Sequence, residues 1–170
     1  MPDLTCLASL DPDSPMGRCM HGWHRVLSGE PQALGDVLAD DVVLHSPVLF
    51  KPLPGKDTVA MYLTAAAMSF VGKARAGAGE GGERPKVASP TGDTTWDGRF
   101  RYVREVVGER DAILEFETTM AGRYVSGVDM IRCDDEGRIV DFKVMVRPMQ
   151  AIDAVRELMV AALAKLQPEA

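Results

Sequence analysis

The chain has 170 residues, 46% hydrophobic and 26% charged, enough for one globular domain with a real core and ordinary in its balance. A formal net charge of −6 excludes the basic footprint of a nucleic-acid binder, and no run approaches the ~20 apolar residues that cross a membrane. Three scattered cysteines (Cys6, Cys19, Cys133) make no C-x-x-C pair, which argues against a disulfide framework or zinc cluster, and the acidic start MPDLTCLASLDPDSP is unlike a signal peptide, so the cytoplasm is the expected compartment.

Residues 1–12 read as a loose leader, and 13–170 as the domain. Asp13-Ser14-Pro15 supplies a cap followed by Pro in the first turn, so a helix starts here and runs to about Ser28, stopping at Gly29. Met16, Cys19, Met20, Trp23, Val26 and Leu27 recur at helical spacing as its buried stripe. A short helix from Pro31 carries Leu34, Val37 and Leu38, is broken by Asp40-Asp41, and gives way to a strand over Val42–Ser46. Three prolines and Gly55 then impose an irregular loop before a helix over Lys56–Val71. Gly72–Gly98 is rich in Gly, Pro and small polar residues and too poor in apolar ones to offset its ordering entropy; it reads as a flexible insertion, with Trp96 pinning its end.

Strands are expected over Phe100–Val107 and Ala112–Met120, where Leu114 and Phe116 alternate with Glu115 and Glu117, the two glutamates on a wet face. Tyr124–Cys133 and Arg138–Arg147 are joined by Asp134-Asp135-Glu136-Gly137, an acidic, Gly-terminated hairpin signal. On the second arm Val140, Phe142, Val144 and Val146 share one face. On the first, Asp129 shares a face with Val125, Gly127 and Ile131, although Asp is normally depleted in mid-strand. Pro148 opens a C-terminal helix with Met149, Ile152, Val155, Met159, Ala162, Leu163 and Leu166 as its stripe.

The segments VDMIRCDDEGRI (128–139) and LADDVVLHSPVLFKPLPGKDTV (38–59) resemble the penultimate hairpin and the helix-to-strand-to-helix passage of the ketosteroid isomerase and SnoaL-like cyclase group, in the nuclear-transport-factor-2-like superfamily. The resemblance implies an α+β fold: a curved antiparallel sheet wrapped round a long helix as a cone with a pocket inside, finished here by a C-terminal helix. It implies an isomerase- or cyclase-type activity on an apolar carbonyl compound without metal or organic cofactor, or a non-catalytic binding or dimerisation module of the same fold. In ketosteroid isomerases an Asp kept neutral by an apolar site donates a hydrogen bond to the oxyanion, and Asp129 is the matching position. The alternative is a structural carboxylate paired with an Arg such as Arg104. The proton-shuttling Asp of that group precedes a Pro on the first long strand; Ser46, before Pro47, stands there. Its phenol falls near Gly22, with Trp23 beside it.

Histidine is the residue type suited to acid–base work at neutral pH, which makes His45 a candidate base, yet strand alternation turns it outward if Ser46 faces in. The candidate set is therefore Asp129 and His45 for chemistry, with Ser46, Trp23, Phe116, Phe142, Val144 and Val146 against an apolar ligand. His21 and His24 are three apart, but Cys19 shares no face with His21 and no carboxylate completes a metal set. Gly-rich 77–82 follows no strand and carries no Lys-Ser/Thr, so it is not a phosphate loop. The methionines suit adaptable packing or a greasy pocket. A homodimer is expected through the outer sheet face, where Tyr124, Val128, Met130 and Met145 would leave an apolar patch.

Overall fold

The computed structural model describes residues 10–70, 93 and 95–166. The predicted leader through residue 9, and the predicted insertion over 72–92 and at 94, lie outside the described residues. Helix α1 spans Pro15–Leu27; the Ser14 hydroxyl accepts from the Gly17 N–H at 3.0 Å, and Pro15 sits where a missing N–H costs nothing. Met16, Cys19, Met20, Trp23 and Val26 are buried along one stripe, and the chain leaves the helix through Gly29 at φ +103°. A 3-10 turn at Pro31–Ala33 leads to the short helix α2, Leu34–Val37.

Strand β1, Leu38–His45, begins four residues before the predicted start. Leu38 is fully buried opposite Ile139, and Asp40-Asp41, rather than breaking an element, stays exposed where the register shifts between Leu38 and Val43. Then come β2 (Leu53–Pro54), α3 (Lys56–Phe70), β3 (Arg101–Val107), β4 (Asp111–Met120), β5 (Arg123–Cys133), β6 (Ile139–Arg147) and α4 (Met149–Leu166). The sheet runs β2-β1-β6-β5-β4-β3, curved and unclosed, antiparallel throughout except where β1 lies parallel to β6.

The β5–β6 hairpin has the register expected from its pattern. Asp129 faces Val144 and Ile131 faces Phe142, while Arg132 turns out to Asp111 at 2.8 Å. A shift between Arg132 and Cys133 makes Ile139, not Val140, the fully buried residue at the start of β6. In the loop the Asp134 carboxylate accepts from the N–H groups of Glu136 and Arg138, at 3.0 and 2.7 Å, and Gly137 sits at φ +81°. A Cβ at Gly137 would come within 2.7 Å of the Pro15 carbonyl oxygen, so only glycine lets the loop press against the first turn of α1. Arg18 secures that contact by donating to the carbonyl oxygens of Asp135 and Glu136, at 2.7 and 3.2 Å.

The core lies between the helices and the inner sheet face, with Met20 and Trp23 from α1, Val59 and Leu63 from α3, and Leu114, Phe116, Ile131 and Phe142 from the strands. Helix α4 packs along α3 and reaches β5 and β6. Its contact face is built from Ala151, Ala154, Val155, Met159 and Ala162; small residues bring the helices close, and Met149, expected in the stripe, is 77% exposed.

On the outer face Glu115 meets Arg104 at 3.2 Å near solvent, but Glu117 departs from the expected wet position: it is 1% exposed. Arg101 lies against one of its oxygens at 2.6 Å, and the Tyr124 hydroxyl donates to the other at 3.1 Å. Trp96 closes the group from outside, edge-on to Tyr124 at 5.9 Å and stacked at 5.6 Å from the Arg101 guanidinium.

Candidate functional site

A cavity of about 70 Å³ opens between α1, α3 and the inner sheet face. Trp23, Leu63, Phe100, Phe116, Phe142 and Val144 line it, and Asp129 is the one ionisable group among its described lining residues. The rings form two pairs: Trp23 with Phe142, centroids 4.9 Å apart, and Phe100 with Phe116 at 5.3 Å. The Phe116 ring has room because its cross-strand partner is Gly127; a Cβ there would lie 2.3 Å from its Cζ.

Asp129 is 6% exposed and, among the described residues, reaches no cation. Its Oδ2 accepts from the Tyr102 hydroxyl at 2.7 Å, and the Tyr102 oxygen accepts from the Trp23 indole N–H at 2.9 Å. The polarity of this chain is fixed from its far end. An indole nitrogen only donates, which leaves the Tyr102 hydroxyl proton free to be donated to Asp129 Oδ2. With Oδ2 accepting from Tyr102, a proton bound by Asp129 is carried by Oδ1. Burial raises the Asp129 pKa from the ordinary 3.8 to about 7, against the smaller opposing effect of the Tyr102 hydrogen bond. Burial, with the neighbouring Asp129 charge, drives Tyr102 well above the phenol range, so it stays a donor.

Tyr102→Phe should push the Asp129 pKa further up, by roughly one to two pH units, the worth of a hydrogen bond to a charged group. A carboxyl-carbon NMR titration reads this directly; an unchanged or lowered midpoint would refute the assigned donor.

Of the residues picked out from sequence, Asp129, Trp23, Phe116, Phe142 and Val144 come together at this cavity. Three do not. His45 ends β1 opposite Lys143 on the outer face, with Nε2 3.0 Å from Asp141 Oδ2. Ser46 follows the strand and accepts from the Val48 N–H at 3.3 Å, opening the Pro47 loop. Val146, opposite Gly127, is half-buried beyond the cavity. The expected alternative partner of Asp129, Arg104, is on the outer face with Glu115. His24 is buried, with Nε2 3.7 Å from Glu105 and its ring edge-on to Tyr102 at 6.3 Å, whereas His21 is exposed; among the described residues no group of side chains could hold a metal ion. Sequence reasoning missed Tyr102. The signal was available: a buried carboxyl needs a donor, and Tyr102 sits on an expected strand.

The geometry has relatives among solved structures. A steroid delta-isomerase from Pseudomonas aeruginosa is 30% identical over 93% of this chain and 96% of its own, with a TM-score of 0.71. The chain belongs to the ketosteroid-isomerase-like group of the nuclear-transport-factor-2-like superfamily. An uncharacterised bacterial protein with a cystatin-like fold from Silicibacter pomeroyi DSS-3 is 26% identical over 86% of each chain, TM-score 0.65. An NTF2-like protein of unknown function from Mesorhizobium loti, 21% identical over 82% of this chain and 96% of its own with a TM-score of 0.56, shares the fold. No family model matches the sequence, and no curated protein does. Among the described residues no helix is long and apolar enough to cross a membrane.

Proposed function

We propose that the chain holds a small apolar carbonyl compound in this cavity and polarises it through the Asp129 Oδ1–H, the first step of an isomerase- or cyclase-type reaction needing no cofactor. One observation carries the reading: the Trp23–Tyr102–Asp129 hydrogen-bond chain ends on the one ionisable group among the described lining residues of an apolar cavity. A volume of about 70 Å³, against the roughly 300–1,000 Å³ of sites for drug-sized ligands, favours a small molecule or one end of a larger one. Methyl isobutyl ketone tests it. It should perturb the Trp23 indole N–H resonance at pH 6, bind more weakly above pH 7, and bind Asp129→Asn more weakly, without the pH dependence. Absence of binding at pH 6 would end the proposal. Exchange of its α-protons in deuterated water, faster with the protein than without, marks turnover. Binding without exchange favours the second reading, a non-catalytic binding module, for which the lack of a second ionisable group in the described lining speaks.

The same proposal includes a homodimer and the cytoplasm. Val106, Ile113 and Met130 form an exposed row across β3, β4 and β5 on the outer face, with Met145 beside it on β6. Sedimentation at micromolar concentration should give twice the chain mass, and Met130→Glu should give the monomer; a monomeric wild type would remove the idea. Scattered cysteine usage supports the cytoplasm, and cell fractionation checks it.

A further inference from the structure

The cavity's lining has a second chemical meaning. Two aromatic pairs and one carboxyl group, with no Arg or Lys among the described lining residues, is the composition that recognises an organic cation. We propose that the Asp129 cavity also takes small alkylammonium ligands, the ammonium group resting against Asp129 Oδ1 and the alkyl part among Trp23, Phe100, Phe116 and Phe142. This rests on the reading of the cavity as a ligand site and adds a ligand class of opposite electrostatic demand.

The hydrogen-bond chain serves this state as well as the neutral one. Trp23 and Tyr102 deliver a donor to Oδ2, and a donor stabilises the ionised carboxyl. Among the described residues an ionised Asp129 meets no counter-charge, its hydrogen bond there coming from a neutral phenol. An alkylammonium brings that charge, donates N–H to Oδ1 and fills apolar space. Burying either ion alone is costly, and burying them as a hydrogen-bonded pair offsets part of that cost. A ketone needs the proton on Oδ1, whereas an ammonium needs it gone. The two ligand classes therefore compete for one cavity with opposite pH slopes.

Few other groups blur that contrast. β4 and β6 set Leu114 and Val144 opposite Asp129, α1 brings Trp23, and α3 contributes Leu63, Ala66 and Ala67 to the lining. Tyr102 keeps its proton, and beyond it lie His24, held below the ordinary histidine range chiefly by burial, and Glu105. Asp129, its pKa raised to about 7 by burial, changes charge between pH 6.5 and 8.5.

The test compares methyl isobutyl ketone with its amine counterpart, in which an ammonium replaces the carbonyl oxygen and which stays protonated below about pH 10. Calorimetric titration of the full chain across pH 6 to 8.5 is expected to tighten the amine about tenfold and weaken the ketone by about thirtyfold, following the ionised and neutral fractions of Asp129. Asp129→Asn should lose the amine and keep weak, pH-independent ketone binding. Ketone binding with no amine binding at pH 8.5, or amine binding that ignores pH or the substitution, overturns the cation inference alone. Failure of both ligands overturns the ligand site itself. The wild-type pH series needs no variant to fold.

Discussion

Asp129→Asn is expected to leave stability unchanged near pH 4 and to raise it at pH 8, on the order of 4 kcal/mol from the displacement of the Asp129 pKa to about 7. Asparagine keeps an acceptor for the Tyr102 hydroxyl and carries no charge to bury. In the wild type the unfolded chain gives up this proton near pH 4, while the folded chain keeps it until about 7. Between those values the native state binds more protons, so stability falls as pH rises and then levels off. This is opposite to a salt-bridged Asp, whose contribution is lost in acid. Urea melts of both proteins from pH 4 to 8 measure the difference. An Asn variant several kcal/mol less stable at pH 8 would mean an ionised Asp129 with a cationic partner, and the donor chemistry would fall with it.

Arg101→Met should cost about 2–3 kcal/mol at neutral pH by leaving the Glu117 carboxylate, 1% exposed, without its guanidinium. The figure sits below that for a fully buried broken pair because the Arg101 side chain is itself 31% exposed and the Tyr124 hydroxyl still donates to Glu117. Adding Glu117→Gln to the variant should recover part of the loss, the remainder falling on Asp93, whose carboxylate lies 2.8 Å from the same guanidinium. A double variant as unstable as the single one would assign the cost to the Asp93 pair and to the arginine stem stacked on Trp96 instead of Glu117.

The contrast between these carboxylates shows what the sequence could carry. Asp129 was legible because period-two alternation through Val125, Ile131 and Phe142 dictates which face is buried, and a register slip would have buried Arg132. The same logic misplaced Glu117. It lies on the outer face as alternation requires, yet that face is covered locally by Trp96, Tyr124 and Arg101, a tertiary event that no local period encodes. The early start of β1 failed for a related reason. Leu38 is held in the strand by Ile139, 101 positions along the chain, while its own neighbours Asp40-Asp41 argue for a break. At the site, the ring faces and Asp129 followed from patterning, but the Tyr102–Asp129 bond joins β3 to β5 across β4, a pairing that depends on strand order.

The position of β6 has a consequence for synthesis. It lies between β1 and β5, so among the described residues the strand made first pairs, apart from the two-residue β2, only with one of the last made. As the chain leaves the ribosome, the edge of β1 meant for β6 waits, open to pairing with other nascent chains. Arrested chains ending before Ile139 should be cut readily by protease and bound by chaperones, and those extending past Leu166 should be protected. A permuted gene that begins at β5 would translate β6 ahead of β1, and should give less aggregate at equal expression.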